Sequence, residues 1–265
     1  MSSLSQSTMK RLRQLHMAKG RANQKQFLGE GVRLLEESLR HLWLPRQVYF
    51  SDALINERGG ALLKRFGEKQ VPTSAVGTRD LRKLAETDQS QGVVAVFDIP
   101  PLEIERRLSP IPKSILYLDA IADPGNVGTL FRSALAFGVD LTVLSPGAVD
   151  PFSGKVVRSS AGAIFGMPVA IASIETLLGH LEHDACRVLA ADLDGAEPGD
   201  ALDRLEAVRT VILVVGSEAT GLSQSVRSIV DLRVRIGHTD QVESLNAAVA
   251  GSIILREWYR RKVGK

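Results

Sequence analysis

Apolar residues follow two spacings along the second half of the chain, and the two spacings alternate. Short runs rich in Val, Ile and Leu predict β-strands at residues 114–119, 141–144, 167–171, 187–191 and 211–215. Apolar residues three and four positions apart predict helices at residues 127–137, 153–160, 174–181, 223–229 and 245–261. Because runs such as TVILVV at 210–215 are almost wholly apolar, they predict a mainly parallel sheet covered on both faces.

The first hundred residues alternate in the same way, with weaker periods. Phe27, Leu34 and Leu39 have roughly helical spacing, which predicts a helical stretch within 26–40. Strands are predicted at 46–50 and 92–98, and helices at 61–66 and 80–84. This half is therefore expected to form a small α/β domain of its own.

A boundary separates the two halves. Four prolines lie between residues 99 and 114, among charged residues with little periodicity, which is typical of a linker. We therefore predict a first domain at 1–105, a linker at 106–113 and a second domain at 114–265.

Composition excludes several classes of protein. Hydrophobic residues make up 44% and charged residues 24% of the chain, as in ordinary globular proteins. Cys186 is the only cysteine, so neither a disulfide framework nor a thiolate zinc site is expected, and no metal site is predicted. No uncharged apolar run approaches the roughly 18 residues that span a bilayer, so no membrane partner is expected.

Basic residues are concentrated at the N-terminus, although the formal net charge is only +3. No acidic residue precedes Glu30, whereas six basic residues do: Lys10, Arg11, Arg13, Lys19, Arg21 and Lys25. This pattern fits a solvated tail, an arm that contacts nucleic-acid phosphates, or an organellar transit peptide. Charge alone does not separate the three.

Candidate chemistry lies in loops that follow predicted strands, because parallel sheets bind ligands beyond the carboxyl ends of their strands. The first loop, DPGNVGTLFRSALAFG at 123–138, leads into a helix. Asn126 is a good N-cap for that helix, and Arg132 lies beside its apolar stripe. Spacing alone fits a ligand site, and it also fits a simple cap with a surface charge.

Two further loops have the same character. GSEATGLS at 216–223 places Glu218 between glycines that let the backbone approach a ligand. RIGHTDQVESLN at 235–246 ends with Ser244 and Asn246 at the start of an apolar helix. Each acid or amide could contact a ligand, and each could equally stabilise the start of a helix.

Taken in this order, the loops resemble the three motifs of the SpoU family. The members of this family are S-adenosylmethionine-dependent RNA ribose 2′-O-methyltransferases, and they belong to the SPOUT superfamily. DPFSGKVVRSSAGAIFGMPV at 150–169 is similar to the family segment between the first two motifs. Residues 10–39 resemble the basic start of its substrate-binding extension. The likeness begins near Lys10, which leaves little sequence for a transit peptide and favours a cytoplasmic protein.

The resemblance implies a fold, a cofactor and roles for individual residues. It implies a C-terminal α/β domain with a trefoil knot, an RNA-binding N-terminal domain and a homodimer. S-adenosylmethionine is then expected to contact four residues: Ala191, Gly216, Ile236 and Leu245. Arg132 is expected to bind the RNA phosphate or the developing oxyanion, with Asn126 orienting it or the ribose. Glu218, Ser244 and Asn246 are expected to complete the catalytic pocket.

Some positions depart from the family pattern. Gly237 and His238 stand where the family commonly has proline and methionine, and Ala219 stands where it has glycine. His238 is expected to be a surface residue. The N-terminal half resembles the small RNA-binding fold seen among ribosomal proteins, and this resemblance favours ribosomal RNA as the substrate, most of all RNA of the 23S type. A transfer RNA methyltransferase and a non-catalytic RNA-binding protein remain the alternatives.

Overall fold

The computed structural model describes residues 4–87, 89–198, 202, 205, 208–239 and 241–263. The chain forms two compact units, one of Met1–Pro100 with Asp150–Gly166 and one of Pro101–Val149 with Met167–Lys265. Asp150–Gly166 thus belongs to the first unit, although the sequence predicts a second domain that is continuous over 114–265. Its aromatic side chains explain this difference, since Phe152 packs on Phe27 with ring centroids 4.9 Å apart and Phe165 on Phe97 at 4.8 Å.

The first unit contains a four-stranded sheet of order β1-β4-β2-β3. Its strands are β1 (Gln26–Glu30), β2 (Gln47–Phe50), β3 (Thr73–Ala75) and β4 (Val93–Asp98). β4 is antiparallel to β1 and β2, whereas β2 and β3 are parallel. The helices of this unit are α1 (Gln6–Arg13), α2 (Ala18–Gln24), α3 (Val32–Arg40), α4 (Glu57–Glu68), α5 (Thr78–Leu84) and α7 (Gly154–Ser159).

The predicted helical stretch within 26–40 is wrong over its first third. Gln26–Glu30 forms β1, in which buried and half-buried residues alternate, and only Val32–Arg40 is helical. Phe27 points into the aromatic core and stacks on Phe97 at 5.3 Å. Gly31 has a φ of +103°, a conformation that favours glycine. It forms the turn between β1 and α3, where the chain changes direction.

The basic N-terminus forms α1 and α2 rather than a frayed tail. Most of its cations lie on the surface, as an RNA-contacting arm requires; they are Lys10, Arg11, Arg13, Lys19 and Lys25. Arg21 differs, because it is only 5% exposed. Its Nε donates to Asp150 Oδ2 at 2.7 Å, and its Nη1 donates to the carbonyl oxygens of Leu15 and His16. Arg21 therefore stabilises the first unit and is removed from the predicted RNA-binding set.

A second set of charged contacts also ties α7 into the first unit. Glu86 accepts hydrogen bonds from His16, at 2.9 Å, and from Arg158. The His16 hydrogen bond is the main cause that lowers the pKa of Glu86 to about 2, and Arg158 adds to it against the opposing effect of burial. The carboxylate is therefore ionised at neutral pH and pairs with both partners.

The second unit contains a six-stranded sheet of order β10-β8-β9-β5-β6-β7. Its strands are β5 (Ser114–Asp119), β6 (Leu141–Leu144), β7 (Val169–Ile171), β8 (Cys186–Ala196), β9 (Thr210–Gly216) and β10 (Leu232–Val234). Every neighbouring pair is parallel. The helices in the described part of this unit are α6 (Pro124–Ala136), α8 (Ile174–Gly179), a short helix at Gln224–Arg227 and the C-terminal helix, Ala247–Val263.

The predicted α/β class and the mainly parallel sheet are confirmed. The C-terminal helix packs closely on α6 and β9 because Gly251 has no side chain. A Cβ placed there would lie 2.7 Å from Leu130 and 2.9 Å from Val215. Ser133 and Ser252 join the two helices through their hydroxyls, 2.7 Å apart. None of the helices within the described part of the chain is long and apolar enough to cross a membrane.

Replacing Arg21 by methionine should destabilise the first unit. Arg21→Met leaves the Asp150 carboxylate, which is 31% exposed, without its guanidinium. We expect the free energy of unfolding to fall by about 2–3 kcal/mol, less than for a fully buried pair. Urea unfolding measures this change. Lys19→Met, on the exposed face of the same helix, is the matched control, and an equal loss in both variants would contradict the account.

Candidate active site

A cavity of about 400 Å³ lies at the carboxyl end of β9, beside the middle of β8. The loop after β9, the end of β10 and the start of the C-terminal helix form its walls. All four residues expected to contact a cofactor line this one cavity: Ala191, Gly216, Ile236 and Leu245. Residues far apart in sequence therefore meet at the sheet edge where parallel sheets place ligands.

The loop after β9 is a tight turn that brings the backbone close to the cavity. Ser217 and Gly221 exchange two backbone hydrogen bonds, of 3.1 and 2.8 Å. Gly221 has a φ of +66°, which favours glycine. A Cβ on Gly216 would lie 2.7 Å from the carbonyl carbon of Gly221 and 3.0 Å from the backbone nitrogen of Leu222. The two glycines therefore fix the shape of this wall.

Three predicted catalytic residues form one hydrogen-bonded network. The Nδ2 group of Asn246 donates to Asn126 Oδ1 at 3.0 Å and to Glu218 Oε1 at 2.5 Å. Glu218 Oε1 also accepts from the backbone of Ala247 at 3.1 Å. The other side of the Asn246 amide accepts from the backbone nitrogens of Ala248 and Val249. Asn246 thus caps the C-terminal helix and holds the first two loops against it.

Asn126 takes part in this network because it is not the helix cap that the sequence predicts. Asp123 is the N-cap of α6, and its Oδ1 accepts from the backbone nitrogen of Asn126 at 2.9 Å. Pro124 occupies the first turn, where its missing N–H costs nothing. The Asn126 side chain is therefore free of capping; the residue is only 8% exposed, and its Oδ1 accepts from Asn246.

The remaining predicted catalytic residues lie around the network. Ser244 lines the cavity. Arg132 is exposed on α6, six residues after Asn126, which corresponds to about 9 Å along the helix axis. Among the described residues, no hydrogen bond or ion pair is found for Arg132. Its guanidinium is thus available to an external anion, and it is not oriented by Asn126.

Several polar residues that line the cavity were not singled out as site residues from the sequence, among them Ser217, Thr220, Arg227 and His238; Asp192 also lines it, within the segment 190–198 that the family resemblance implies as a wall of the cofactor site. Arg227 Nε donates to the carbonyl oxygen of Leu222 at 2.9 Å, which fixes the guanidinium beside the turn. His238, expected to be a plain surface residue, is exposed but borders the cavity, and its Nδ1 donates to the carbonyl oxygen of Thr239 at 3.0 Å. Their positions depend on how three strand ends converge, which local spacing does not reveal.

Two titratable groups of the second unit, Cys186 and Tyr117, lie in its buried core and do not line the cavity. Burial raises the pKa of the Cys186 thiol and, with Asp119 and Glu175 nearby, that of the Tyr117 phenol. Both groups therefore stay protonated near neutral pH, and neither is a ready nucleophile. Across the described ranges, no group of three or more His, Cys, Asp or Glu side chains is arranged to hold a metal ion.

Sequence comparison decides the family. A profile of the SpoU rRNA Methylase family matches residues 113–256, more than half of the chain. The chain belongs to the SpoU methylase family. A profile of the MRM3-like substrate binding domain matches residues 6–95. The family resemblance predicted from the three motifs is thereby confirmed, and so is membership in a family of methyltransferases.

Similar proteins match this SpoU family member over nearly their whole length. An uncharacterised tRNA/rRNA methyltransferase of Synechocystis is 34% identical over 96% of this chain and 91% of the relative. The 23S rRNA (guanosine(2553)-2′-O)-methyltransferase RlmP of Bacillus subtilis is 29% identical over 92% of both chains. The crystal structure of an AdoMet-bound rRNA methyltransferase from Sinorhizobium meliloti has a TM-score of 0.83 and 25% identity, covering 99% of this chain and 97% of that one.

The cavity has the chemistry that S-adenosylmethionine requires. Its volume lies in the range of about 300–1,000 Å³ typical of small-molecule sites. Val215, Leu222 and Ile236 provide apolar walls for a flat base. Asp192 can accept hydrogen bonds from ribose hydroxyls, and Arg227 can pair with a carboxylate. The residues present therefore fit the cofactor.

Gly216→Ala should impair this cavity. The added methyl group would collide with the backbone of Gly221 and Leu222, at 2.7 and 3.0 Å, and the turn would have to open. We expect S-adenosylmethionine affinity to fall at least about tenfold, with a loss of about 1–3 kcal/mol in stability. Calorimetric titration and thermal unfolding measure the two effects.

Gly60→Ala is the control for that substitution, because a Cβ there meets nothing within 4 Å. Its helix should be unaffected or slightly stabilised, and cofactor affinity should not change. Wild-type affinity in Gly216→Ala would show that the turn does not shape the binding site.

Proposed function

We propose that this protein transfers a methyl group from S-adenosylmethionine to a ribose 2′-hydroxyl of ribosomal RNA of the 23S type. The observation that carries the proposal is the Asn126–Glu218–Asn246 network beside the cavity that Gly216, Ile236 and Leu245 line. Membership in the SpoU family supports it, as do the names of the B. subtilis and S. meliloti relatives.

The methyl acceptor must be positioned, and its hydroxyl proton passes to solvent water as the new bond from oxygen to the methyl carbon forms. When bound, S-adenosylmethionine supplies an electrophilic methyl group on a sulfonium sulfur. Arg132 binds the RNA phosphate and stabilises the negative charge that develops on the 2′-oxygen. Because a guanidinium is almost always protonated, we assign it this electrostatic role rather than that of a simple base. Its exposure and lack of a described partner favour that role.

The amide network keeps the polar end of the site rigid. Both hydrogens of the Asn246 amide group have acceptors in Asn126 and Glu218. Glu218 therefore holds the second loop at a fixed distance from the start of the C-terminal helix. Ser244 adds a hydroxyl at the cavity wall. Preorganised polar groups of this kind lower a barrier because they need no rearrangement during the reaction.

The first unit supplies the RNA-binding surface in this proposal. The match to a substrate-binding profile over residues 6–95 supports it. The exposed cations of α1 and α2 would contact phosphates, whereas Arg21 would not. We keep the predicted division into an RNA-binding domain at 1–105, a linker at 106–113 and a methyltransferase domain at 114–265 as part of the proposal, with Asp150–Gly166 attached to the first unit.

Three finer features belong to the same proposal. We propose that the segment between β9 and the C-terminal helix forms a trefoil knot. β10 pairs with the side of β8 that faces away from β9, and the chain then returns so that Gly251 packs against Leu130 and Val215. This path supports the proposed knot.

The C-terminal helix also has an exposed apolar face. Val249 and Ile253 are exposed one turn apart on it, and such a face suits a homodimer. We propose cytoplasmic placement because the proposed substrate is ribosomal RNA.

A transfer assay tests the proposed function directly. Purified protein is incubated with radiolabelled S-adenosylmethionine and, separately, with unmodified 23S ribosomal RNA and transfer RNA. We expect label in the ribosomal RNA, mapped to one ribose 2′-oxygen. Label confined to transfer RNA would overturn the substrate and keep the reaction. Cofactor binding with no transfer to either RNA or to assembled ribosomal subunits would support a non-catalytic RNA-binding protein.

Arg132→Ala should abolish transfer and leave cofactor binding intact. Removing one preorganised donor of this kind lowers kcat by about 100- to 1,000-fold. Arg132 does not line the described cavity, so S-adenosylmethionine affinity should change less than about twofold. Arg132→Lys keeps the charge but not the planar fork, and we expect it to recover only part of the rate. A large loss of cofactor affinity in Arg132→Ala would contradict the assigned role.

Asn246→Asp separates helix capping from the network. The introduced carboxylate still accepts from the backbone of Ala248 and Val249, but it cannot donate to Glu218 or Asn126. We expect kcat to fall by about 100-fold, while the helix keeps its cap. Asn246→Ala loses both functions, so it should also lose about 1 kcal/mol of stability. Near wild-type turnover in Asn246→Asp, measured with the same RNA, would exclude the network from catalysis.

A further inference from the structure

The second unit has another cavity, at the opposite edge of its sheet, where the strands begin. Its volume is about 570 Å³. We call it the basic cavity, after the four cations that line it: Arg106, Arg107, Lys113 and Lys262. β5 runs from this edge to the candidate active site in six residues, which is about 20 Å. The basic cavity is therefore separate from the site described above.

The one acidic side chain among the described residues of the basic cavity, Asp140, already accepts hydrogen bonds from the protein. Asp140 Oδ2 accepts hydrogen bonds from the backbone nitrogens of Lys113 and Ser114, at 3.0 and 2.9 Å, and from the Ser114 hydroxyl at 2.9 Å. These bonds hold its carboxylate against the start of β5. Among the described residues no ion pair joins Asp140 to the four cations, so the lining of the cavity carries an excess of positive charge.

Arg107 has donors that the protein does not fully satisfy. Its Nη2 donates to the carbonyl oxygen of Pro101 at 3.1 Å. Its Nε is buried and has no acceptor in the part of the chain that the structure describes. A buried guanidinium nitrogen without an acceptor is costly. An incoming oxyanion, with a small rotation of the side chain, would remove that cost and form a charge-assisted bond.

The other three cations are exposed and can meet a ligand from solvent. Lys113 and Lys262 are exposed. Arg106 lies 3.8 Å from Glu103, but both side chains are more than 60% exposed, so this pair contributes little. Pro110, Pro112 and Pro168 form rigid walls. The cavity thus combines rigid proline walls with several exposed positive groups.

We propose that the basic cavity binds the phosphate backbone of the RNA substrate, away from the nucleotide that is methylated. This inference rests on the proposed function, because that function is what identifies the ligand as RNA. Arginine forks and lysine ammonium groups match phosphate oxygens. The described lining contains no aromatic residue, and aromatic residues are the usual anchors of protein interfaces. Phosphate contacts of this kind position an RNA without reading its sequence.

The double variant Arg106→Gln/Lys113→Gln tests the inference in the full-length protein. Transfer to 23S ribosomal RNA transcribed in vitro gives kcat and KM, and RNA binding is titrated with salt. We expect KM to rise about five- to tenfold, with kcat and S-adenosylmethionine affinity unchanged. Loss of one or two phosphate contacts should reduce the slope of log affinity against log salt by about 1–2.

Two further variants make the result specific. Arg256→Gln/Arg260→Gln removes the same charge from exposed positions of the C-terminal helix that do not line the cavity; both arginines contact Glu257, and RNA affinity should stay within about twofold. Glu103→Gln removes the acid beside Arg106, and RNA binding should tighten.

The outcomes distinguish this inference from the proposed function. If the wild-type protein methylates no RNA, the proposed function fails before the variants are compared. If the wild type is active and Arg106→Gln/Lys113→Gln keeps its KM and salt slope, the basic cavity does not bind RNA. An equal loss of RNA affinity in Arg256→Gln/Arg260→Gln would show that the effect depends only on the net charge of the protein. That result would also overturn the inference. If Arg106→Gln/Lys113→Gln binds RNA as the wild type does but no longer binds poly-glutamate, the basic cavity binds an acidic protein segment instead of RNA.

Discussion

The amide of Asn246 is the contact on which the candidate site depends. It caps the C-terminal helix through one side and joins Glu218 and Asn126 through the other. Three segments are thereby held at one point, although Asn126 and Asn246 are 120 residues apart in sequence. Because a side-chain amide has both a donor and an acceptor group, asparagine can satisfy all of these partners at once. A carboxylate or an apolar residue at this position cannot.

Close packing behind the network gives that contact its geometry. Gly251 allows the C-terminal helix to approach α6 and β9, and the Ser133–Ser252 hydrogen bond links the two helices. Asp119, at the end of β5, accepts from the backbone of Ser223 at 2.6 Å and fixes the far end of the loop after β9. The parallel sheet then places the cavity and the network side by side. A binding site for a methyl donor and a polar site for its acceptor can therefore adjoin.

The sequence predicts the second unit better than the first, for a physical reason. β5, at Ser114–Asp119, is buried on both faces, so its apolar run is unambiguous, whereas β1 alternates and its Phe27 falls at a helical spacing by coincidence. Local pattern cannot show that Arg21 meets Asp150, 129 residues away, or that Asp123 caps α6 in place of Asn126. Arg227 and His238 reach the cavity only through the convergence of separate loops. Motif order identifies such a site, but its contacts depend on the tertiary fold.

We propose that one cavity holds the methyl donor directly beside the Asn126–Glu218–Asn246 network. A crystal structure of the protein with S-adenosylhomocysteine is the first measurement to make. We expect the ligand between Gly216, Ile236 and Leu245, with its sulfur at the end of the cavity nearest Asn246. Density for the ligand at any other place in the molecule, or a sulfur at the end far from Asn246, would contradict it.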